Sequence, residues 1–415
     1  MYETSRVLVV GTTPDYVDRI RTIRPGKALF LTSPQLREKA LETPPAREEE
    51  ILCPLKPKEA LQAVERHLAA HDLTLGGIAC FDCETMILTA TLAKELELDY
   101  PALDAVMNCR NKYRAKNLWQ AAHLPTPRFG LVNDSGKAWS FMEKTRPPWV
   151  AKPLDGSGSS LVFKLEKPGD LEGAAAKAKA FYVKQGQDAQ KAWPMLLEEM
   201  APGPEYSADF LFVGGQARIL RLTAKHRLAS ELFGITQAYE LRENLLSEKD
   251  RRELENLFAR AARALGLAAC ICMVDFILNE QGPWLLEIAP RPGGDCLPLL
   301  LRKAGGPDTM GFALDFAGKA PLPQDGKTLS PHVGLRIFAP CNGVLEKLET
   351  EALLRDKRVV CFESIRQPGD RVELPPKDYD SWILANIIYK PRTGEDIALQ
   401  NRELSSLVSV RIKRP

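Results

Sequence analysis

Two β-prone runs, Met273-Val-Asp-Phe-Ile-Leu278 and Trp284-Leu-Leu-Glu-Ile288, each carry one acid, and Asp275 and Glu287 stand twelve residues apart. Arg291 follows the second acid by four positions and precedes the paired glycines Gly293 and Gly294. Between the runs lies Asn279-Glu-Gln-Gly-Pro283, a cluster of turn formers, so the pattern predicts a hairpin. A hairpin can bring the two acids to neighbouring strands on one face, because even spacing within a strand preserves the face. Carboxylates held side by side repel unless a cation sits between them, and hard oxygen donors suit Mg2+ bound together with substrate phosphates. The chemistry indicated is that of a nucleotide-dependent enzyme.

Upstream, Trp149-Val-Ala-Lys-Pro-Leu-Asp-Gly-Ser-Gly-Ser-Ser160 is an apolar run ending in Lys152, followed by a Gly/Ser loop and a second strand-like run, Leu161 to Leu165. Glycine lets backbone amides approach a phosphate, serine hydroxyls add donors, and a preceding lysine supplies a point charge. This is not the P-loop pattern, and no Gly-x-Gly-x-x-Gly follows the first strand. Ahead of the carboxylate hairpin, the loop reads as a phosphate lid.

With these pieces in order, the chain resembles the ATP-grasp superfamily from about its start to its C-terminus. The segment Asn111-Lys112 to Pro127 is similar to the one that carries the first ATP-binding lysine, here Lys112, and Lys152 matches the second. Ser157, Gly158 and Ser159 fall in the phosphate loop. Leu196-Leu-Glu-Glu-Met-Ala-Pro-Gly-Pro-Glu-Tyr-Ser207 resembles the adenine hinge. There Glu198 is among the nucleotide contacts, the backbone of Glu199 and Ala201 stands in the base-reading places, and Glu205 is in the ribose place. Asp275 and Glu287 fall on the metal carboxylates and Arg291 on the active-site arginine. Ala224-Lys225-His226-Arg227 is read as the start of a loop ending near Phe233-Gly234-Ile-Thr236, similar to the segment that closes over the phosphates. In it Lys225 would pair with the γ-phosphate, and His226 would accept the amine's proton or hold the acyl phosphate.

The resemblance implies an ATP-dependent carboxylate-amine ligase that activates a small acid as an acyl phosphate, with ATP and Mg2+ or Mn2+ as cofactors. The branch it looks most like is that of the L-amino-acid ligases. Many members carry asparagine two residues after the second metal glutamate, where this chain has Ala289, so one metal would be held more loosely or completed by water. Arg291 suits the chemistry because a permanent planar fork can orient a carboxylate and then stabilise an oxyanion. Two alternatives stay open: a bicarbonate- or formate-activating enzyme of the same fold, and an ATP-binding sensor without turnover. The partners implied are ATP and small carboxylate and amine substrates, with a homodimer compatible with them.

The elements that must position these groups alternate at first. Arg6-Val-Leu-Val-Val-Gly11, Ala28 to Leu31 and Gly77 to Phe81 are buried-type strands interleaved with helical stretches from Tyr16, from Pro57 to His71 and from Glu84 to Leu96. This predicts a parallel α/β layer. The expected organisation is α/β and α+β: a pre-ATP-grasp parallel-sheet domain over 1–104 and an ATP-grasp domain over 105–318. The latter has a small lobe over 105–185 and a large lobe over 190–318, whose helix runs from Ser247 to Leu265. A Pro/Gly-rich connector, Gly318 to Pro331, leads to a C-terminal β-rich domain over 332–415.

Across 415 residues, 56 Lys and Arg balance 54 Asp and Glu, so no strong field draws nucleic acid or an anionic membrane. No run of 18 apolar residues is present, and Met1-Tyr-Glu-Thr-Ser-Arg leads straight into a strand, so a cytoplasmic enzyme is expected. Nine cysteines, an odd number scattered through apolar runs, read as reduced thiols. Cys80-Phe-Asp-Cys83 has no second pair at zinc-site distance and is read as structural.

Overall fold

In the computed structural model the described residues are 5–414 apart from 12, 39, 41, 231, 243–244 and 322–328. The stretch 322–328, within the Pro/Gly-rich connector, therefore lies outside them. Strands β1 (Ser5–Val10), β2 (Ala28–Thr32), β3 (Glu50–Leu52) and β4 (Thr74–Ala79) form a parallel sheet in the order β3-β2-β1-β4. β1 and β2 are almost continuously apolar and buried, as strands covered on both faces must be. The amphipathic helix Pro57–His71 matches the stretch read from the sequence.

A second sheet, antiparallel, contains β5 (Phe129–Val132), β6 (Trp149–Pro153), β7 (Phe163–Leu165) and β8 (Met195–Glu199) in the order β5-β8-β6-β7. The helix Asp170–Lys184 packs its Leu171, Ala174 and Ala178 face into this sheet's core.

The largest sheet has eight strands. Its first five are β9 (Glu205–Val213), β10 (Gln216–Arg227), β11 (Thr236–Leu241), β12 (Cys270–Asn279) and β13 (Gly282–Ala289). Three strands from beyond residue 332 extend it: β14 (His332–Phe338), β16 (Val359–Ser364) and β18 (Ile383–Tyr389), in the order β13-β12-β9-β10-β11-β14-β18-β16. The remaining strands, β15 (Gly343–Glu349), β17 (Arg371–Val372) and β19 (Ser409–Lys413), make a small sheet of their own. The C-terminal segment is thus joined to the large lobe through the hydrogen bonds of β11 with β14.

Helix Glu248–Ala264 covers one face of the eight-stranded sheet. It is capped by Ser247, whose Oγ accepts from the Asp250 amide at 3.2 Å. Its Phe258 sits 5.3 Å from both Phe210 and Phe276, and Phe276 stacks on Tyr206 at 5.6 Å. Such pairs contribute about 0.5–1.5 kcal/mol each beyond area burial. That packing leaves the opposite face of β9 to β14 for the site.

Candidate active site

β12 and β13 pair as the expected hairpin around the turn at Glu280 and Gln281, and Asp275 stands opposite Glu287 in register. Both side chains face the cleft between the small and large sheets. Lys112 Nζ lies 3.5 Å from Glu287 Oε2, and Lys225 Nζ lies 3.0 Å from Asp275 Oδ2. Burial and the neighbouring Glu287 and Glu205 carboxylates raise the Asp275 pKa against the pull of Lys225. For Glu287 burial also works upward, but Lys112 and Lys152 outweigh it and hold the group below the usual carboxylate range.

A bound cation would meet an incomplete shell here. Asp275 Oδ1 is buried without a hydrogen-bond partner, so an electrophile is the missing neighbour. No group of three or more His, Cys, Asp or Glu gathers as a metal site among the described residues. The two acids therefore fit an ion whose other ligands are phosphate oxygens and water.

The Gly/Ser loop, residues 154–162, joins β6 to β7 above the acids. Ser159 and Leu161 hold φ of 60° and 57°, in the left-handed region that L side chains rarely adopt. The loop is held at both sides: Ser157 Oγ donates to Glu84 Oε1 at 3.1 Å, and Ser159 Oγ donates to the Gly234 carbonyl at 2.8 Å. Asn111 caps the helix Lys112–Ala121, and the Lys112 amide donates to Leu154 O at 2.8 Å, tying that helix to the loop.

Lys152 and Glu198 are diagonal neighbours on β6 and β8, with Nζ 2.9 Å from Oε1. The same oxygen is 3.1 Å from Lys116 Nζ, a fully buried lysine one turn beyond Lys112 that local sequence left unremarked. Burial pushes the Lys116 pKa down to about 8 in spite of Glu198. Because this folded-state pKa lies below the unfolded one, the unfolded chain binds the proton more tightly between about pH 8 and 10.5. Lys116 thus costs stability below pH 8 and releases that cost as pH rises. Urea titrations from pH 7.5 to 10.5 should show wild type gaining on the order of a few kcal/mol relative to Lys116→Met. Parallel curves for the two proteins would refute the shift.

Glu199 turns its carboxylate to the other face, toward Arg128 at 3.6 Å, while its backbone, Met200 and Ala201 line the cleft. Glu205 also lines it, ion-paired to Lys225 and, at 3.1 Å, to Arg227. Ala224 to Arg227 do not open a loop as expected. They finish β10, where β11 pairs all four and β9 pairs Ala224 and Lys225, and the loop begins at Leu228. Strand alternation then separates the two residues proposed there: Lys225 points into the cleft, whereas His226 points away, 2.9 Å from Glu240 Oε2, and lines neither cavity. The structure therefore does not bring His226 to the other site residues.

The cleft divides into two adjoining cavities. The first lies between the hinge at 199–201, the Gly/Ser loop and Lys152. The second is walled by Arg291, Tyr239, Asp295, Arg336, Phe338 and Trp382. Asp275, Glu287, Lys112 and Lys225 line both, so they stand at the seam. Ala289, where a further metal ligand was missing in the sequence, also lines the second cavity.

Arg291 crosses that second cavity to the N-terminal layer, where its Nε and Nη2 reach Cys83 Sγ at 3.0 and 2.9 Å. The CxxC cysteine read as structural thus touches the site, and all nine cysteines are free. The turn after Arg291 is fixed from below. Asp209 Oδ1 accepts from the Gly293 amide at 2.7 Å, and Arg221, fully buried, bonds Asp209 Oδ2 at 2.7 Å. A Cβ on Gly293 would come within 2.9 Å of Arg221 Nη2, so only glycine lets the turn sit this close.

Residues 145–298, which carry Lys152, the Gly/Ser loop, the hinge and the opposed acids, match the ATP-grasp domain family. The chain carries an ATP-grasp domain. Over 186 residues it is 29% identical to the D-alanine--D-alanine ligase of Neisseria meningitidis serogroup A, covering 44% of this chain and 58% of that protein. The chain thus spans under two thirds of that relative's length. Its fold is that of the L-amino acid ligase from Bacillus licheniformis, with a TM-score of 0.77 at 19% identity and 99% of both chains covered. It is also similar to carboxyaminoimidazole ribonucleotide synthase from Aspergillus clavatus, at 0.69 and 13%, covering 98% of this chain and 99% of that one. These likenesses agree with the α/β and α+β class, the N-terminal parallel sheet and the β-rich C-terminal region around the ATP-grasp domain. No helix among the described residues is long and apolar enough to cross a membrane.

Proposed function

We propose that this protein is an ATP-dependent ligase that joins a small carboxylic acid to an amine through an acyl phosphate, releasing ADP and phosphate. The observation that carries this is the seam: Asp275, Glu287 and the Gly/Ser loop line both a cavity that reaches the hinge and a second cavity that ends on Arg291. ATP would lie in the first, with its base against Met200 and Ala201 and its ribose near Glu205. Lys112, Lys152 and the backbone of Ser157, Gly158 and Ser159 would hold its phosphates.

Asp275 and Glu287 would hold Mg2+ or Mn2+, which when bound neutralises phosphate oxygens during transfer. Lys225 would accompany the moving phosphoryl group, a role supported by its position next to Asp275. The acid's oxygen attacks the γ-phosphorus as the bond to ADP breaks. The amine then adds to the acyl carbon, phosphate leaves, and the amine loses a proton. The Arg291 fork suits both orienting the acid and compensating the oxyanion. The names of the relatives, D-alanine--D-alanine ligase and L-amino acid ligase, favour an amino acid as one substrate.

Phosphate release should be screened over pairs of amino acids and small acids, with bicarbonate as a parallel arm. Release that needs both an acid and an amine is expected, and Arg291→Lys should lower it about 100-fold although the charge is kept, because the planar fork is lost. Release driven by bicarbonate alone would move the protein to the carboxylating enzymes of this fold. Silence across the panel would leave ATP binding without turnover.

A further inference from the structure

The Gly/Ser loop that lines both cavities is fastened by a part of the chain outside the segment that matches the ATP-grasp domain. We propose that Tyr379 is a positioning residue for this loop, pinning it over the two acids from the C-terminal segment 373–382, with the Lys184–Glu373 pair fastening the rest of the small lobe. The inference rests on the ligase reading above only in taking the loop to hold phosphates.

Tyr379 is the first ground. Its ring packs against two cores at once, that of the small antiparallel sheet and that of the C-terminal segment. It meets Phe181 of helix Asp170–Lys184 edge to face, with centroids 6.0 Å apart and planes at 72°. The Leu161 backbone hydrogen-bonds its hydroxyl. Leu161 ends the Gly/Ser loop, is 1% exposed and holds a left-handed φ, a conformation that persists only where the surroundings impose it. A side chain from outside the lobe supplies part of that hold.

The second ground is that the C-terminal core reaches the loop at another point. Gly234, whose carbonyl takes the Ser159 hydroxyl, lies between Leu232 and Ile235, and both of these pack into that core. At the end of the helix, Lys184 ion-pairs with Glu373 and donates to the Lys377 carbonyl at 3.5 Å. The Lys184 side chain is 40% exposed, so this pair contributes less than the Tyr379 ring. The tether from the N-terminal layer is also weak, since Glu84, the partner of Ser157, is 67% exposed.

The third ground is that the segment is braced, as a fixed point must be. Asp378 Oδ1 accepts from the Asp380 amide at 2.8 Å and the Ser381 amide at 3.3 Å, and the Leu374 amide donates to Asn342 Oδ1 at 2.6 Å. The Trp382 indole N–H donates to the Tyr379 carbonyl at 3.2 Å. A loop placed only part of the time would bind phosphates less tightly in proportion, because apparent affinity falls with the fraction of the competent conformer.

The test joins hydrogen exchange over residues 154–162 of the full chain, without nucleotide, to calorimetric titration with Mg-ADP. In Tyr379→Ala the loop should exchange at least about tenfold faster while β14 and β18 keep their wild-type rates, and Mg-ADP should bind about tenfold more weakly. Tyr379→Phe, which keeps the ring on Phe181, should recover most of both. Lys184→Glu should speed loop exchange about threefold, and adding Glu373→Lys should reverse it; this exposed pair decides the matter if Tyr379→Ala does not fold. Wild-type loop exchange in Tyr379→Ala overturns the inference. An equal rise in the loop, β14 and β18 also overturns it, because that marks general loss of stability, as does faster loop exchange with unchanged Mg-ADP affinity. Failure of Mg-ADP to bind the wild type instead removes the ligase reading underneath, while the exchange comparison still decides whether Tyr379 holds the loop.

Discussion

Glu287→Gln is expected to lower ATP-dependent phosphate release on the order of 100- to 1,000-fold while Mg-ATP still binds. The exchange keeps the side chain's shape opposite Asp275 but removes the charge that faces Lys112 at 3.5 Å. On the proposed reading the base and ribose would be held by the hinge and Glu205 rather than by Glu287, so affinity for the adenosine part should persist. What is lost is the anionic oxygen that would hold a cation against the phosphates as charge moves, and a site that loses one preorganised electrostatic partner commonly loses rate by this amount. Nucleotide binding is read separately as thermal stabilisation, which follows RT ln(1 + [L]/Kd). Near-normal turnover at saturating Mg2+ would show that the cation is held elsewhere.

Asp209→Asn should be the most damaging single change for stability, with an expected loss of about 3–5 kcal/mol in urea titration. Asp209 and Arg221 are both fully buried, and the guanidinium spends its other donors on Ser207 and Thr223. Asparagine keeps an acceptor for the Gly293 amide but leaves the arginine charge uncompensated in a low-dielectric core. The double variant Asp209→Leu with Arg221→Met should recover much of the loss, because it removes both charges together. The pair also has a functional reach, since the Gly293 amide it holds is two residues from Arg291. A single variant as stable as wild type would mean that the arginine finds water or another partner.

Much of the site was legible because its signals are local. The hairpin of Asp275 and Glu287 follows from two β-prone runs and one turn cluster, because the register of a hairpin depends largely on its turn and its near chain neighbours. The Gly/Ser loop between β6 and β7 was likewise readable from glycine and serine content after an apolar run ending in Lys152. His226 was misplaced for a related reason: a basic tetrapeptide looked like a loop, and only its pairing with β11 as the end of β10 shows that Lys225 and His226 face opposite ways. Lys116 went unnoticed because one lysine among several in a polar helix looks solvated until Glu198 is seen against it.

By itself, then, the sequence determined the elements whose partners are near in the chain, the order of Lys112, Lys152 and the Gly/Ser loop ahead of the two acids, and the hairpin that opposes those acids. Tertiary structure alone decided which distant residues complete the second cavity. Cys83 meets Arg291 across 208 positions, and Arg336, Phe338 and Trp382 reach the same space only because β14 continues the sheet at β11. The physical reason is that such contacts are set by sheet order and the packing of layers, and neither leaves a periodic trace near the residues that end up touching.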